Sequence, residues 1–126
     1  MRSLVLLLFL VSFAKSQTVK NVNAEEFKKL LEEGQSVLID LRTSDEISRK
    51  GTIPGSMQID YLGKDAEKEI NRLDRKKQVL IFCAGGGRGV DCGEMMMGKG
   101  FKKVINLEKG FDDWKRKGFE VQHKEQ

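Results

Sequence analysis

The segment Gln78-Val79-Leu80-Ile81-Phe82-Cys83-Ala84-Gly85-Gly86-Gly87-Arg88-Gly89 decides how this chain folds and what chemistry it can host. After Gln78 it opens with a short, unbroken apolar run, the pattern of a strand covered on both faces of a sheet. The run ends at a cysteine, three consecutive glycines follow, and Arg88 stands near the start of a helix-like stretch that reaches about Lys99. Gly100 supplies its stop. A strand feeding a helix through a glycine-rich turn is the unit of an open α/β sheet. In such sheets ligands sit beyond the carboxyl ends of the strands.

Working outward, residues 104–107 form a last core strand, and residues 111–117 a last helix with Phe111 and Trp114 on one face. Towards the N-terminus, residues 36–41 are a second apolar run. A helix over residues 43–50 is stopped by Gly51, Ile53-Pro54-Gly55 makes a turn, and residues 57–59 form a short strand. Residues 66–73 predict a helix with Ile70 and Leu73 inward. Asn23 is expected to cap a first helix, with Glu26 closing a capping box, Phe27, Leu30 and Leu31 on one face, and Gly34 at its end. The alternation predicts one α/β domain, a mostly parallel sheet of about five strands with helices on both faces. No internal repeat, long linker or low-complexity tract interrupts it.

The loop after the apolar run carries the chemistry. Its glycines allow a tight curl that turns several N–H groups toward one point. The following helix adds unpaired amides and the positive end of its dipole. Such a nest binds anions, and the same field favours a thiolate. No histidine base is needed, and the single histidine, His123, lies in a charged tail. The competing reading makes Cys83 a buried, inert residue and the glycines a mere turn. So many free amides have little structural purpose without an anion, which favours a nucleophilic sulfur.

Composition bounds the rest. A chain of 126 residues allows one domain. Met1-Arg2-Ser3, the apolar residues 4–13 and Ala14-Lys15-Ser16 have the three parts of a secretory signal peptide. The run is shorter than the roughly 20 apolar residues of a membrane-spanning helix. Cleavage after Ser16 would leave a domain over residues 17–126, exported to a periplasm or the cell exterior with no stable membrane anchor. A buried N-terminal helix is the alternative, and the polar flanks suit export better. Loss of Arg2 and Lys15 lowers the net charge of +4 by two. Interleaved charges of both signs then make a solvated surface, not a nucleic-acid footprint. Two cysteines are too few for a disulfide scaffold. Cys92 is read as core packing, because a bond to Cys83 needs Cα atoms within about 7 Å. No metal-ligand spacing is present and no cofactor is expected. Met95, Met96 and Met97 cannot all face one site and read as helix core.

Four ordered segments together resemble one family, the rhodanese-like sulfurtransferases. They are Ile39-Asp40-Leu41-Arg42, Gly51-Thr52-Ile53-Pro54-Gly55-Ser56, Cys83-Ala84-Gly85-Gly86-Gly87-Arg88 and Leu107-Glu108-Lys109-Gly110-Phe111-Asp112-Asp113-Trp114. The resemblance covers nearly all of residues 17–126. It implies that Cys83 takes the outer sulfur of a small anionic donor such as thiosulfate. Cys83 would hold it as a persulfide and yield it to cyanide or a thiol. The amides of Ala84, Gly85, Gly86, Gly87, Arg88 and Gly89 would cradle that persulfide, and Arg88 would add charge for the donor. Asp40 and Arg42 would tie the loop layers together. Thr52 stands where the family has histidine, at a position read as structural. Lys109 replaces the first glycine of a terminal pair. It is either a solvated surface lysine or an ammonium held over the site mouth to recruit anionic donors. Ala84 leaves donor preference open.

Two other readings compete. Cysteine-dependent phosphatases and arsenate reductases space Cys and Arg by five residues, commonly after a histidine. Here four residues separate Cys83 from Arg88, and Phe82 precedes. The shorter cradle suits a sulfur better than a tetrahedral oxyanion. The second is a non-catalytic sulfur-relay or binding module; the intact Cys83, glycine nest and Arg88 argue for turnover. Export to an oxidising compartment would also require a reductant or persulfide donor nearby.

Overall fold

The computed structural model describes residues 3–8 and 18–123. The strands β1 (Lys20–Val22), β2 (Val37–Asp40), β3 (Met57–Gln58), β4 (Gln78–Phe82) and β5 (Lys103–Leu107) join in one sheet of order β1-β5-β4-β2-β3. All its ladders are parallel, so the sheet is parallel throughout where the sequence predicted mostly so. The helices are α1 (Ala24–Glu32), α2 (Ser44–Lys50), α3 (Ala66–Asn71), α4 (Gly87–Gly98) and α5 (Gly110–Arg116).

β4 occupies the middle of the sheet, and this is why it reads as unbroken apolar sequence: both of its faces are covered. Side chains alternate across it. Val79, Ile81 and then Cys83 pack in one layer with Ile70 of α3 and Cys92 and Met96 of α4. Leu80 and Phe82 pack in the other with Phe27 of α1 and Phe111 and Trp114 of α5. Phe82 lies near Phe111 with ring centroids 6.2 Å apart, and Phe27 meets Trp114 edge-on at 6.1 Å. The alternation sends Cys83, one residue past the strand, to the α4 side of the sheet.

β1 is the element that the sequence did not predict. It is an edge strand of three residues that buries only Val22, too little apolar pattern to be read alone. Its pairing with β5 defines it, Asn21 lying opposite Asn106. The capping box expected at Asn23 forms only in half. Asn23 accepts the Glu26 N–H at 2.9 Å, while the Glu26 carboxylate goes to Lys20 at 3.4 Å. The complete box forms at α2, between Thr43 and Glu46. Residues 3–8 are exposed and in neither helix nor strand. The remainder of the expected signal segment, residues 1–2 and 9–16, lies outside the described residues. Among the described residues no helix is long and apolar enough to cross a membrane.

Candidate active site

The chain leaves the sheet at Cys83 and turns into α4 at Gly86, whose φ is 106°. The Cys83 sulfur accepts the backbone N–H of Gly86 at 3.1 Å and of Gly89 at 3.4 Å. Gly86 is obligatory twice over. Its φ is one that L-residues rarely adopt, and a Cβ there would strike the carbonyl of Glu108 just past β5. The amides of Ala84, Gly85, Gly87 and Arg88 have no protein acceptor among the described residues. They leave a set of donors at the N-terminal end of α4, where the dipole is positive. A Cβ at Gly85 or Gly87 would meet nothing within 4 Å. Both are exposed, and neither is crowded by the rest of the protein.

The loop carbonyls are held away on the other side. Phe111 N–H donates to the Cys83 carbonyl at 2.8 Å, and Asp112 N–H to that of Ala84 at 3.1 Å. Gly110 permits this approach. Its φ is 70°, and a Cβ on it would come within 2.7 Å of the Cys83 carbonyl oxygen. The first turn of α5 thus engages the carbonyls, while the amides of Gly86 and Gly89 face the sulfur. The cradle is electropositive because its peptide dipoles are sorted.

Arg88 is held by a partner that the sequence did not point to. Its guanidinium is bidentate on Glu46 of α2, Nη1 to Oε1 at 2.6 Å and Nη2 to Oε2 at 2.8 Å. The hydrogen bond from Arg88, outweighing burial, holds the Glu46 carboxyl down to about 2. The same bond raises the Arg88 pKa. Both groups are therefore ionised at any ordinary pH, and the pair pins the start of α4 to α2. Glu46 was not singled out from the sequence. It also belongs to the capping box that starts α2, accepting the Thr43 N–H at 3.2 Å.

Beneath the loop, Asp40 and Arg42 form a buried ion pair, as the sequence suggested. Arg42 donates to Asp40 through Nε at 3.0 Å and Nη2 at 2.8 Å, and through Nη2 to the Gly51 carbonyl at 2.7 Å. Thr52 Oγ1 donates to Asp40 at 2.6 Å. The guanidinium lies 4.0 Å from the Phe111 ring centre. One ion pair thus joins the end of β2, the turn before β3 and α5, and Thr52 serves the framework. Lys109 is exposed at the start of α5. Its charge reaches Glu25 of α1, whose carboxyl is lowered first of all by a hydrogen bond from Lys117. Cys92 is a free, buried thiol, pushed up to about 12 by burial and by the charges of Asp91 and Cys83. It stays protonated and packs the core. Among the described residues no group of His, Cys, Asp and Glu could hold a metal ion.

A parallel α/β sheet whose central strand delivers a cysteine into a cradle of backbone amides at a helix start defines the class. The chain belongs to the rhodanese-like domain family, whose model matches residues 23–117. It is 33% identical over 104 residues to the putative sulfur carrier protein YrkF of Bacillus subtilis, covering 82% of this chain and 55% of that protein. The chain therefore spans about half the length of YrkF. It is 27% identical over 104 residues to a sulfurtransferase of Allochromatium vinosum, covering 82% of this chain and 94% of that one. The solution structure of the polysulfide-sulfur transferase homodimer from Wolinella succinogenes superimposes with a TM-score of 0.72. There the identity is 26%, covering 84% of this chain and 80% of that one.

Proposed function

We propose that this protein is a sulfurtransferase that moves a sulfane sulfur, from a donor such as thiosulfate to a thiophilic acceptor, through a persulfide on Cys83. The observation that carries the reading is the Cys83 sulfur held by two backbone N–H groups at 3.1 and 3.4 Å, with further loop amides left open beside it. In the first step the Cys83 thiolate attacks the outer sulfur of thiosulfate. An S–S bond forms, the bond to the sulfonate sulfur breaks, and sulfite leaves with the electron pair. In the second, cyanide or a thiolate attacks the outer persulfide sulfur, carries it away as thiocyanate or a new persulfide, and returns Cys83 as thiolate. Each step breaks one sulfur–sulfur bond and forms one bond to the transferred sulfur, from Cys83, a thiol sulfur or the cyanide carbon, and no external oxidant is consumed.

The amides of Ala84, Gly85, Gly86, Gly87, Arg88 and Gly89 take the negative persulfide and the charged end of the donor. Arg88 contributes as the charge behind that backbone, shared with Glu46. A second reading, a sulfur-relay module that hands its persulfide to one protein without multiple turnover, draws support from the likeness to a putative sulfur carrier. The N-terminal apolar run supports export, with residues 1–16 removed and a mature chain that begins at Gln17.

One experiment tests these readings. Intact mass of the protein recovered from an expressing host is measured before and after thiosulfate, beside Cys83→Ser. The expected result is a gain of about 32 Da, one sulfur, lost on adding cyanide and absent in the serine variant. The starting mass should correspond to residues 17–126. No gain on a reduced Cys83 would sink the thiosulfate reading. A gain that cyanide and thiols leave in place would favour the relay. A mass that retains residues 1–16 would remove the signal peptide.

A further inference from the structure

Asn106 of β5 is completely buried below the loop. Its Nδ2 donates to the Gly86 carbonyl at 3.3 Å and to Asn21 Oδ1 of the edge strand at 3.0 Å. Its Oδ1 has no hydrogen-bond partner. That oxygen faces Gly89, where a Cβ would collide with it, so a Cα–H of Gly89 is what meets it. Turning the amide over would set oxygen against the oxygens of Gly86 and Asn21 and lose both donor bonds. The orientation is therefore determined, and the unpaired oxygen is its consequence.

The two residues that Asn106 touches in the loop, Gly86 and Gly89, are the two whose N–H groups meet the Cys83 sulfur. We propose that Asn106 is a positioning residue, which holds Gly86 by its carbonyl and Gly89 by close contact so that both amides stay on that sulfur. The peptide geometry carries this one residue further. In a trans peptide the C=O and the next N–H point in opposite directions. With the Gly86 carbonyl drawn toward Asn106, and also accepting Val90 N–H at 3.1 Å, the Gly87 amide is directed away from the core. An apolar side chain of the same size would fill the space without an orphaned oxygen, but it would leave that peptide to the Val90 N–H alone. The inference rests on Cys83 being the reactive sulfur proposed above.

Hydrogen bonds to a sulfur favour its ionised form, so loss of the bracing should show in the pH dependence of Cys83. The charged and titratable groups around it are Arg88 with Glu46, Asp91 and Cys92 on α4, Tyr61 bonded to Asp91, the Asp40–Arg42 pair, and Lys109 and Asp112 at the start of α5. None is altered by replacing Asn106 or Asn21. The experiment is iodoacetamide alkylation of Cys83 across pH in wild type, Asn106→Leu and the exposed-partner variant Asn21→Ala, read by peptide mass.

In Asn106→Leu the half-point should move up by about one pH unit, making alkylation about tenfold slower on the acid limb with a plateau within about twofold. Asn21→Ala should move it in the same direction by less. A folded Asn106→Leu with an unmoved profile, or one slowed equally at every pH, overturns the proposal. If Asn106→Leu does not fold, an unmoved profile in Asn21→Ala overturns it. Alkylation reads the sulfur and not the transfer. A displaced profile in the variants with no persulfide in wild type would therefore refute the proposed reaction and leave the positioning role standing.

Discussion

Asp40→Ala should lower the stability of the fold by about 3–5 kcal/mol, the cost of leaving a buried partner charge uncompensated. The Arg42 guanidinium has no access to water and would keep only the Gly51 carbonyl and the aromatic rings. Thr52 Oγ1 would lose its acceptor on Asp40 and keep only Ser56. Urea unfolding, followed by the single tryptophan, Trp114, measures the change in midpoint. The double variant Asp40→Ala with Arg42→Met should recover much of the loss, since replacing both members of a buried pair with apolar groups is often close to neutral. A single variant within about 1 kcal/mol of wild type would mean that the pair is not what joins β2 to the turn before β3 and to α5. At a typical total stability of about 5–15 kcal/mol, the expected loss leaves little margin at physiological temperature.

Gly110→Ala should damage sulfur transfer far more than stability. The added Cβ would lie 2.7 Å from the Cys83 carbonyl oxygen and closer still to that of Ala84, so the loop has to move away from α5. The hydrogen bonds from Phe111 and Asp112 to those carbonyls lengthen or break. A shift of about 1 Å in a positioned reacting group costs on the order of a hundredfold in rate, and that is the expected fall in thiosulfate-to-cyanide turnover. The backbone strain alone, an L-residue with φ near 70°, costs about 1–2 kcal/mol. Gly34→Ala is the matched control. It has a φ of 72° and nothing within 4 Å of a Cβ, so it should show the strain with full activity. Turnover in Gly110→Ala within about threefold of the control would show that α5 does not set the loop, a far smaller change than misplacement by about 1 Å would bring.

The two variants separate the layers of this site. Asp40 and Arg42 hold the framework on which the loop stands, and no atom of either pairs with the sulfur. Gly110 acts on the loop itself, through the direction of two carbonyl groups. The cradle in turn presents main-chain donors, as expected, and the Arg88 charge beside them is engaged by Glu46. A site of this kind should tolerate exchange of its exposed loop residues, Gly85 and Gly87, more readily than exchange of its buried ones, Gly86 and Gly89. The exposed pair borders open space, and the buried pair borders Glu108 and Asn106.

The sequence by itself determined whatever depends on neighbours along the chain. Alternation and apolar runs placed β2, β4 and β5, helical spacing and a capping residue placed α1, the stop at Gly51 bounded α2, and the run of glycines after Cys83 marked the anion nest before a helix. These signals are local because a strand's coverage, a helix's face and a turn's φ are imposed within a few residues. Tertiary structure alone decided the rest. β1 exists because β5 offers it a ladder, and its own three residues carry almost no pattern. Glu46 meets Arg88 across 42 residues, and Asn106 meets Gly86 across 20. Gly110 looked like one half of a terminal motif, whereas its necessity comes from the carbonyls of Cys83 and Ala84 that α5 approaches. The sulfur's position follows from local backbone, but its bracing comes from partners brought together only when the parallel sheet closes over both faces. Their directions in space are set by that packing, and no spacing along the chain encodes them.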